Sequence, residues 1–239
     1  MTDDLEPGGT ADPVGDAQTA ESRRAGSLRA DCASCAGLCC VALAFGKSDG
    51  FAFDKDAGDP CTHLGRDFRC AIHSVLRPRG FPGCTVFDCL GAGQKVTQVT
   101  FSGRTWRDEP DSQELMFAAF QVMRPLHELL WYLNDAMSRP QARTLKAELI
   151  HAYEETERLT RQCADDVLGI DVTAQRGRVR TILSRASELV RADARRRRKP
   201  SKATHRARAG ADLIGAALSG LDLRGTDLRG AQLIAANLR

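Results

Sequence analysis

At 239 residues the chain is long enough to bury a core, but its composition shifts along its length, which favours several small modules over one large one. A net charge of +3 and an aromatic content of 5% give no bulk argument for a nucleic-acid or membrane protein. No stretch approaches the roughly 20 uninterrupted apolar residues of a membrane span, and the acidic opening MTDDLEPGGTADPVGD is not a secretory signal, so a cytoplasmic protein is expected.

Residues 1–28 are rich in Gly, Pro, Ala, Thr and Asp without hydrophobic periodicity and read as a disordered leader. Residues 29–108 are dense in Cys, Gly, Phe and Pro and show no long helical stripe, so this small domain is expected to depend on a metal staple. Residues 109–194 are helical. Leu115, Ala119, Val122, Leu126, Leu129, Leu133 and Met137 share one face of a first helix, in which Pro125 either introduces a kink or starts a second segment. Leu145, Leu149, Ala152, Thr156, Leu159 and Cys163 make the stripe of a second helix beginning near Pro140. Val179, Ile182, Ala186 and Leu189 mark a third, and together the three predict an antiparallel bundle. The run RADARRRRKPSKATHRAR predicts a basic linker over 195–209, with no aromatic residue to stack on a nucleic-acid base.

Eight of the nine cysteines fall in the second module: Cys32, Cys35, Cys39, Cys40, Cys61, Cys70, Cys84 and Cys89. In a reducing compartment, clustered thiols point to metal ligands ahead of redox groups or disulfides. All eight are candidate ligands, led by Cys32, Cys35, Cys39, Cys61, Cys70 and Cys84, with His63 and His73 as weaker candidates; Cys163 reads as a small core residue. Adjacent side chains such as Cys39 and Cys40 are expected to diverge, which predicts two centres or one multinuclear cluster. The opening CxxCxxxCC at 32–40, with the later Cys61, Cys70 and the pair Arg77–Pro78, resembles the zinc- or iron-chelating cysteine-cluster family over residues 31–90. That resemblance implies bound zinc or iron, with an iron–sulfur cluster as one form of the latter.

From residue 210 to 239 the chain divides into ADLIG, AALSG, LDLRG, TDLRG, AQLIA and ANLR. A unit of five residues cannot bury its own leucine, so its stability must come from stacked neighbours. The segment resembles the pentapeptide-repeat family, which implies a short right-handed β-helix. On that resemblance Leu213, Leu218, Leu223, Leu228, Leu233 and Leu238 fill the axis beside Ala211, Ala216, Ala231 and Ala236, while Leu221 and Thr226 depart from the small residue. Six repeats make about one and a half coils, and an exposed edge predicts docking or self-association through the repeats. Arg224, Arg229 and Arg239 alternate with Asp212, Asp222 and Asp227 on the outside, a mixed surface unlike the acidic one of a DNA mimic.

No catalytic constellation is recognisable. Gly91 to Lys95 lacks phosphate-loop spacing and has Val96 where Ser or Thr should follow, and His127–Glu128 meets Trp131 where a zinc protease needs its second histidine. The expected class is a multidomain α+β chain made of a metal-stapled domain, a helical bundle and a terminal β-helix. The expected function is metal binding coupled to an interaction module, with a protein partner or a second copy held by the repeats. The alternatives are a cluster-dependent oxidoreductase or protein-modifying enzyme, and a nucleic-acid-associated protein acting through the basic linker.

Overall fold

Apolar periodicity sets the longest element. Counting a first helix over residues 21–27 as α1, the computed structural model, which describes residues 21–198 and 206–239, contains α2 (Leu38–Val41), α3 (Pro82–Val86), α4 (Ala92–Lys95), α5 (Gln113–Ser138), α6 (Lys146–Leu159), α7 (Ala164–Leu168) and α8 (Val172–Arg196). The expected leader thus becomes helical from residue 21, while residues 1–20 and the linker's 199–205 lie outside the described residues.

The five residues after α4, Val96–Thr100, continue it as a π-helical turn. Helix α5 runs unbroken through Pro125, so neither a second segment nor a break arises there. Helix α6 ends at Leu159, which leaves Cys163 beyond the stripe predicted for it. Cys163 is exposed at the N-cap of α7 and donates its thiol to Asp166 Oδ2 at 3.1 Å, and it is not the core residue expected.

The chain folds as two compact units. The first comprises Met1–Asn134 with Tyr153–Gln175. Its core joins Ala36, Leu38, Val41 and Ala42 from the cysteine segment to Ala92, Val96, Phe101 and Trp106, to Met116, Phe117, Ala119, Phe120 and Met123 of α5, and to Val167 of α7. The cysteine segment therefore shares an apolar core with α5 and α7, across the boundary expected at residue 108. Each large side chain fully buried here stabilises by about 1.5–3 kcal/mol, so metal is not the sole staple. A second, aromatic cluster of Phe81, Ile72 and Leu76, with Phe45, Phe51, Phe53, Cys70 and Cys84 packed against it, supports the far half of the segment. Phe45 stacks on Phe51 at 4.4 Å, and Phe81 meets Phe53 edge-on at 5.4 Å.

The second unit comprises Asp135–Ala152 with Arg176–Arg239. Within it Arg185 pairs with Glu148, and Gln141 Nε2 donates to Asp193 Oδ2 at 3.1 Å. The repeats return on themselves with an offset of twenty residues, as the bridges Asp212↔Gln232 and Ala217↔Asn237 show. Leu213 and Leu218 are buried, and Leu221, Leu223, Leu228 and Leu233 pack beside them with Ala211, Ala216, Ala231 and Ala236. Leu238, assigned to the axis from sequence, is exposed. The acidic or amide residue at the second place of the repeat closes a local turn: Oδ1 of Asp212, Asp222, Asp227 and Asn237 each accepts the amide two residues on.

The α+β expectation is corrected by these observations. Among the described residues strand pairing is limited to isolated bridges, no sheet forms, and the expected right-handed β-helix does not develop; the fold is helical. The reason is length. One coil and part of a second give each turn at most a single neighbour, and single bridges cannot extend into a ladder without further coils.

The start of the basic run is committed to this coil. Arg198 Nη1 donates to the carbonyls of Asp222 and Arg224, each at 3.2 Å, and to Thr226 Oγ1 at 2.8 Å, while Arg195 Nη1 donates to Gly225 O at 3.1 Å. Close approach here depends on Gly225, where an added Cβ would lie 2.6 Å from Arg191 O and 2.9 Å from the Arg195 nitrogen. Arginines bound to carbonyls in this way are not free to bind phosphates, which weakens the nucleic-acid alternative.

Candidate metal centre

Each thiol is placed by backbone that the sequence builds for other reasons. Asp31 caps a short 3-10 turn, Cys32–Ser34, by accepting from the Ala33 amide at 3.0 Å and the Ser34 hydroxyl at 2.7 Å, so Cys32 opens the turn and Cys35 closes it. Helix α2 follows; its Leu38 and Val41 enter the core and leave Cys39 and Cys40 half-buried. Cys61 is buried, and its amide donates to Cys40 O at 2.9 Å. Cys70 pairs with Leu64 in an antiparallel bridge, Cys84 lies in α3, and Cys89 precedes α4.

Contacts from the α4 turn and from Trp106 clamp the CxxC loop. Trp106 Nε1 donates to Ala36 O at 2.8 Å, Thr97 Oγ1 accepts the Ala36 amide at 3.1 Å, and Gln98 Nε2 donates to Ser34 O at 3.0 Å. Sequence reasoning missed these supporting residues, which carry no local signal at separations of more than sixty residues.

Cys39 is the centre of the group. Its thiol contacts that of Cys40 at 3.9 Å, so the adjacent pair does not diverge as the sequence suggested. The reason is that α2 holds both side chains on its half-exposed side. Charge on Cys39 is also felt by Cys32, Cys35, Cys70, Cys84 and Cys89, which draws seven of the eight thiols into one electrostatic neighbourhood when Cys40 is included; Cys61 joins through its influence on Cys70 and Cys84. Gly93 leaves the gap between two of them, since a Cβ there would lie 2.6 Å from Cys35 Sγ and 4.0 Å from Cys89 Sγ.

Burial pushes Cys35 and Cys84 up to about 11, and likewise raises Cys32, Cys70 and Cys89. Cys39 is held protonated by its contact with the Cys40 thiol and by burial. The amides of Leu38 and Gly37 favour the Cys35 thiolate, as those of Gly93 and Gly91 favour Cys89, which offsets part of the desolvation. Buried thiols of this kind are inert as free nucleophiles, and an ion that replaces their protons relieves the mutual repulsion.

Among the described residues, no three His, Cys, Asp or Glu side chains close into a finished ligand set. The donors nevertheless suit zinc or iron by softness. The 3.9 Å separation of the Cys39 and Cys40 sulfurs also suits a shared ion, because a tetrahedron of sulfurs at about 2.3 Å from an ion has edges of about 3.8 Å. His63 packs in the aromatic cluster, 5.2 Å from Phe81 and 6.2 Å from Phe53 between ring centres, and His73 is exposed on a 3-10 turn.

Residues 209–239 match the family described as Pentapeptide repeats (8 copies). That stretch is a run of pentapeptide repeats. The chain is also 50% identical over 188 residues to the uncharacterized protein YybG of Bacillus subtilis (strain 168), an alignment that covers 79% of this chain and 66% of that relative. The chain thus spans a little under two thirds of that relative's length. No solved structure matches it significantly. Among the described residues no helix is long and apolar enough to cross a membrane.

Lys55 was also passed over by sequence reasoning. It is buried, and its ammonium donates to the carbonyls of Val41 at 3.2 Å, Asp56 at 2.8 Å and Asp59 at 2.7 Å, 5.3 Å from the Phe45 ring centre. It ties the 41–61 loop together as a bound cation would, and burial lowers its pKa although the nearby Asp59 carboxylate opposes that shift. Lys55→Met strands three carbonyls and is expected to lower stability by about 1–3 kcal/mol. Urea unfolding of the two proteins measures the difference.

His127, read from sequence only as part of a failed zinc-protease pattern, has a structural role instead. It is buried on α5, and its Nδ1 donates to Leu90 O at 2.7 Å, which fixes the backbone next to Cys89. Burial pushes its pKa from 6.5 down to about 4. Between these values the unfolded chain binds a proton that the folded one refuses, so the stabilisation is whole above 6.5 and is lost as pH falls towards 4. The full loss is about 3 kcal/mol. Unfolding measured through that window is expected to show this acid limb in the native sequence and a flatter one in His127→Gln.

Proposed function

We propose that this protein binds zinc or iron through the thiolates gathered round Cys39, and that its repeats serve as an interaction module for a protein partner or a second copy. The observation that carries the reading is the 3.9 Å approach of the Cys39 and Cys40 sulfurs at the focus of the thiol group. It is supported by Gly93, whose missing side chain leaves room between Cys35 and Cys89, and by backbone amides that favour their thiolates. The ion would be held by Cys39 with members of the set Cys32, Cys35, Cys40, Cys61, Cys70, Cys84 and Cys89. Zinc there supplies a closed structural site, whereas iron supplies a redox centre. In either case the protein's own part is to desolvate the sulfurs, bring them together and release their protons as the ion enters.

Elemental analysis and an absorption spectrum of anaerobically prepared protein test the reading. Stoichiometric zinc or iron is the expected result. Metal-free protein that neither takes up added zinc nor iron contradicts it.

A further inference from the structure

The backbone that carries Cys32 and Cys35 lies close against α4 and the π-helical turn that continues it. Two glycines permit the approach: an added Cβ would lie 2.3 Å from Ser27 O at Gly91 and 2.6 Å from Cys35 Sγ at Gly93. Beyond Gly93 the same stretch turns polar, and three of its side chains bind the backbone that flanks the two cysteines. Gln94 makes two of these contacts at once. Its Nε2 donates to Arg29 O at 2.7 Å and its Oε1 accepts the Asp31 amide at 3.0 Å. Gln98 Nε2 donates to Ser34 O, and Thr97 Oγ1, which accepts the Ala36 amide, donates in turn to Gly93 O at 3.0 Å. Cys35 is thus held through the residues on both sides of it, and it packs against the apolar core.

Cys32 is placed differently. It is exposed, and its position is set by the 3-10 turn that Asp31 caps through the Ala33 amide and the Ser34 hydroxyl. Asp31 is in turn fixed to α4 by Gln94. We propose that Gln94 is a positioning residue for the metal centre, holding the Arg29–Asp31 backbone so that Cys32 joins the ligand set. The inference rests on the metal-binding reading above. Gln94 acts through Asp31 and the turn, with no contact to the ion. A side-chain amide suits the task because one donor and one acceptor meet a C=O and an N–H of the same backbone stretch, whereas a carboxylate only accepts and an ammonium only donates. Without Gln94 the ion itself must order this stretch as it binds, and that cost appears as weaker affinity.

Chelator competition for zinc and for ferrous iron, paired with iodoacetamide labelling of the loaded protein and mass mapping of each cysteine, tests this. In the native chain Cys32 is expected to be protected by the ion and labelled once chelator removes it. Gln94→Leu is expected to bind the same ion about 10–100-fold more weakly, with Cys32 labelled in the loaded protein while Cys35 and Cys39 stay protected. Gln94→Glu keeps the acceptor for the Asp31 amide alone and is expected to lie between the two. Folded variants that bind as tightly as the native chain overturn the proposal. So does labelling that rises at Cys35 and Cys39 together with Cys32, because Gln94 is then a general support of the segment. Native Cys32 labelled equally with and without the ion also overturns it, and that readout needs no variant. Each of these results leaves the bound ion, and hence the metal reading, standing; native protein that takes up neither zinc nor iron defeats both.

Discussion

Replacing Cys39 with serine is expected to abolish metal uptake while leaving the helical core assembled. The sulfur of Cys39 touches that of Cys40, and its charge bears on Cys32, Cys35, Cys70, Cys84 and Cys89, so this substitution removes the focus of the proposed ligand group. Leu38 and Val41 pack in the core with α5, and are expected to stay there without an ion. An ion that binds only the folded chain adds about 2.7 kcal/mol at a free concentration about 100-fold above its dissociation constant. The variant is expected to unfold earlier than the native protein by that margin in saturating zinc, and to match it in chelator, where the native protein loses the same increment. Thermal unfolding in the two solutions measures both. Cys163→Ser, at the exposed N-cap of α7, is expected to behave as the native protein in each.

Phe81→Ala is expected to lower stability by about 3–5 kcal/mol, independently of metal. Phe81 is 2% exposed and meets the rings of Phe45, Phe51, Phe53 and His63, so its loss opens a cavity that no neighbour is placed to fill. The same cluster packs against Cys70 and Cys84. Urea unfolding in chelator isolates the packing loss; repeating it in zinc shows how far these two thiols depend on the aromatic support. A loss confined to the zinc series would mean that metal, not Phe81, organises this half of the segment.

Helix positions were legible because the apolar spacing of Leu115, Ala119, Val122, Leu126 and Leu129 has only one regular solution. The repeats were legible for a similar reason, since leucine at every fifth residue demands stacking. What the period could not convey is that sheet growth needs more coils than these residues provide, so Asp212 and Gln232 meet in a lone bridge. In the cysteine segment the residue types announced soft-ligand chemistry, but not the arrangement. The side-chain directions of Cys39 and Cys40 depend on α2, a single turn set by Leu38 and Val41 entering a core formed largely by α5. The roles of Trp106, Thr97, Lys55 and His127 were hidden for the same reason: each acts on backbone distant in sequence, and a lone residue carries no sign of the carbonyl or amide it will meet. Cys163 misled because a regular stripe continued past the point where the helix stops.

X-ray absorption at the metal edge of the full-length protein tests the central claim most directly, because it reports the atoms bound to the ion. The thiolate centre predicts a first shell dominated by sulfur at about 2.3 Å, with most of that signal lost in Cys39→Ser. A shell of oxygen and nitrogen alone, or a sulfur shell unaltered by Cys39→Ser, would contradict it.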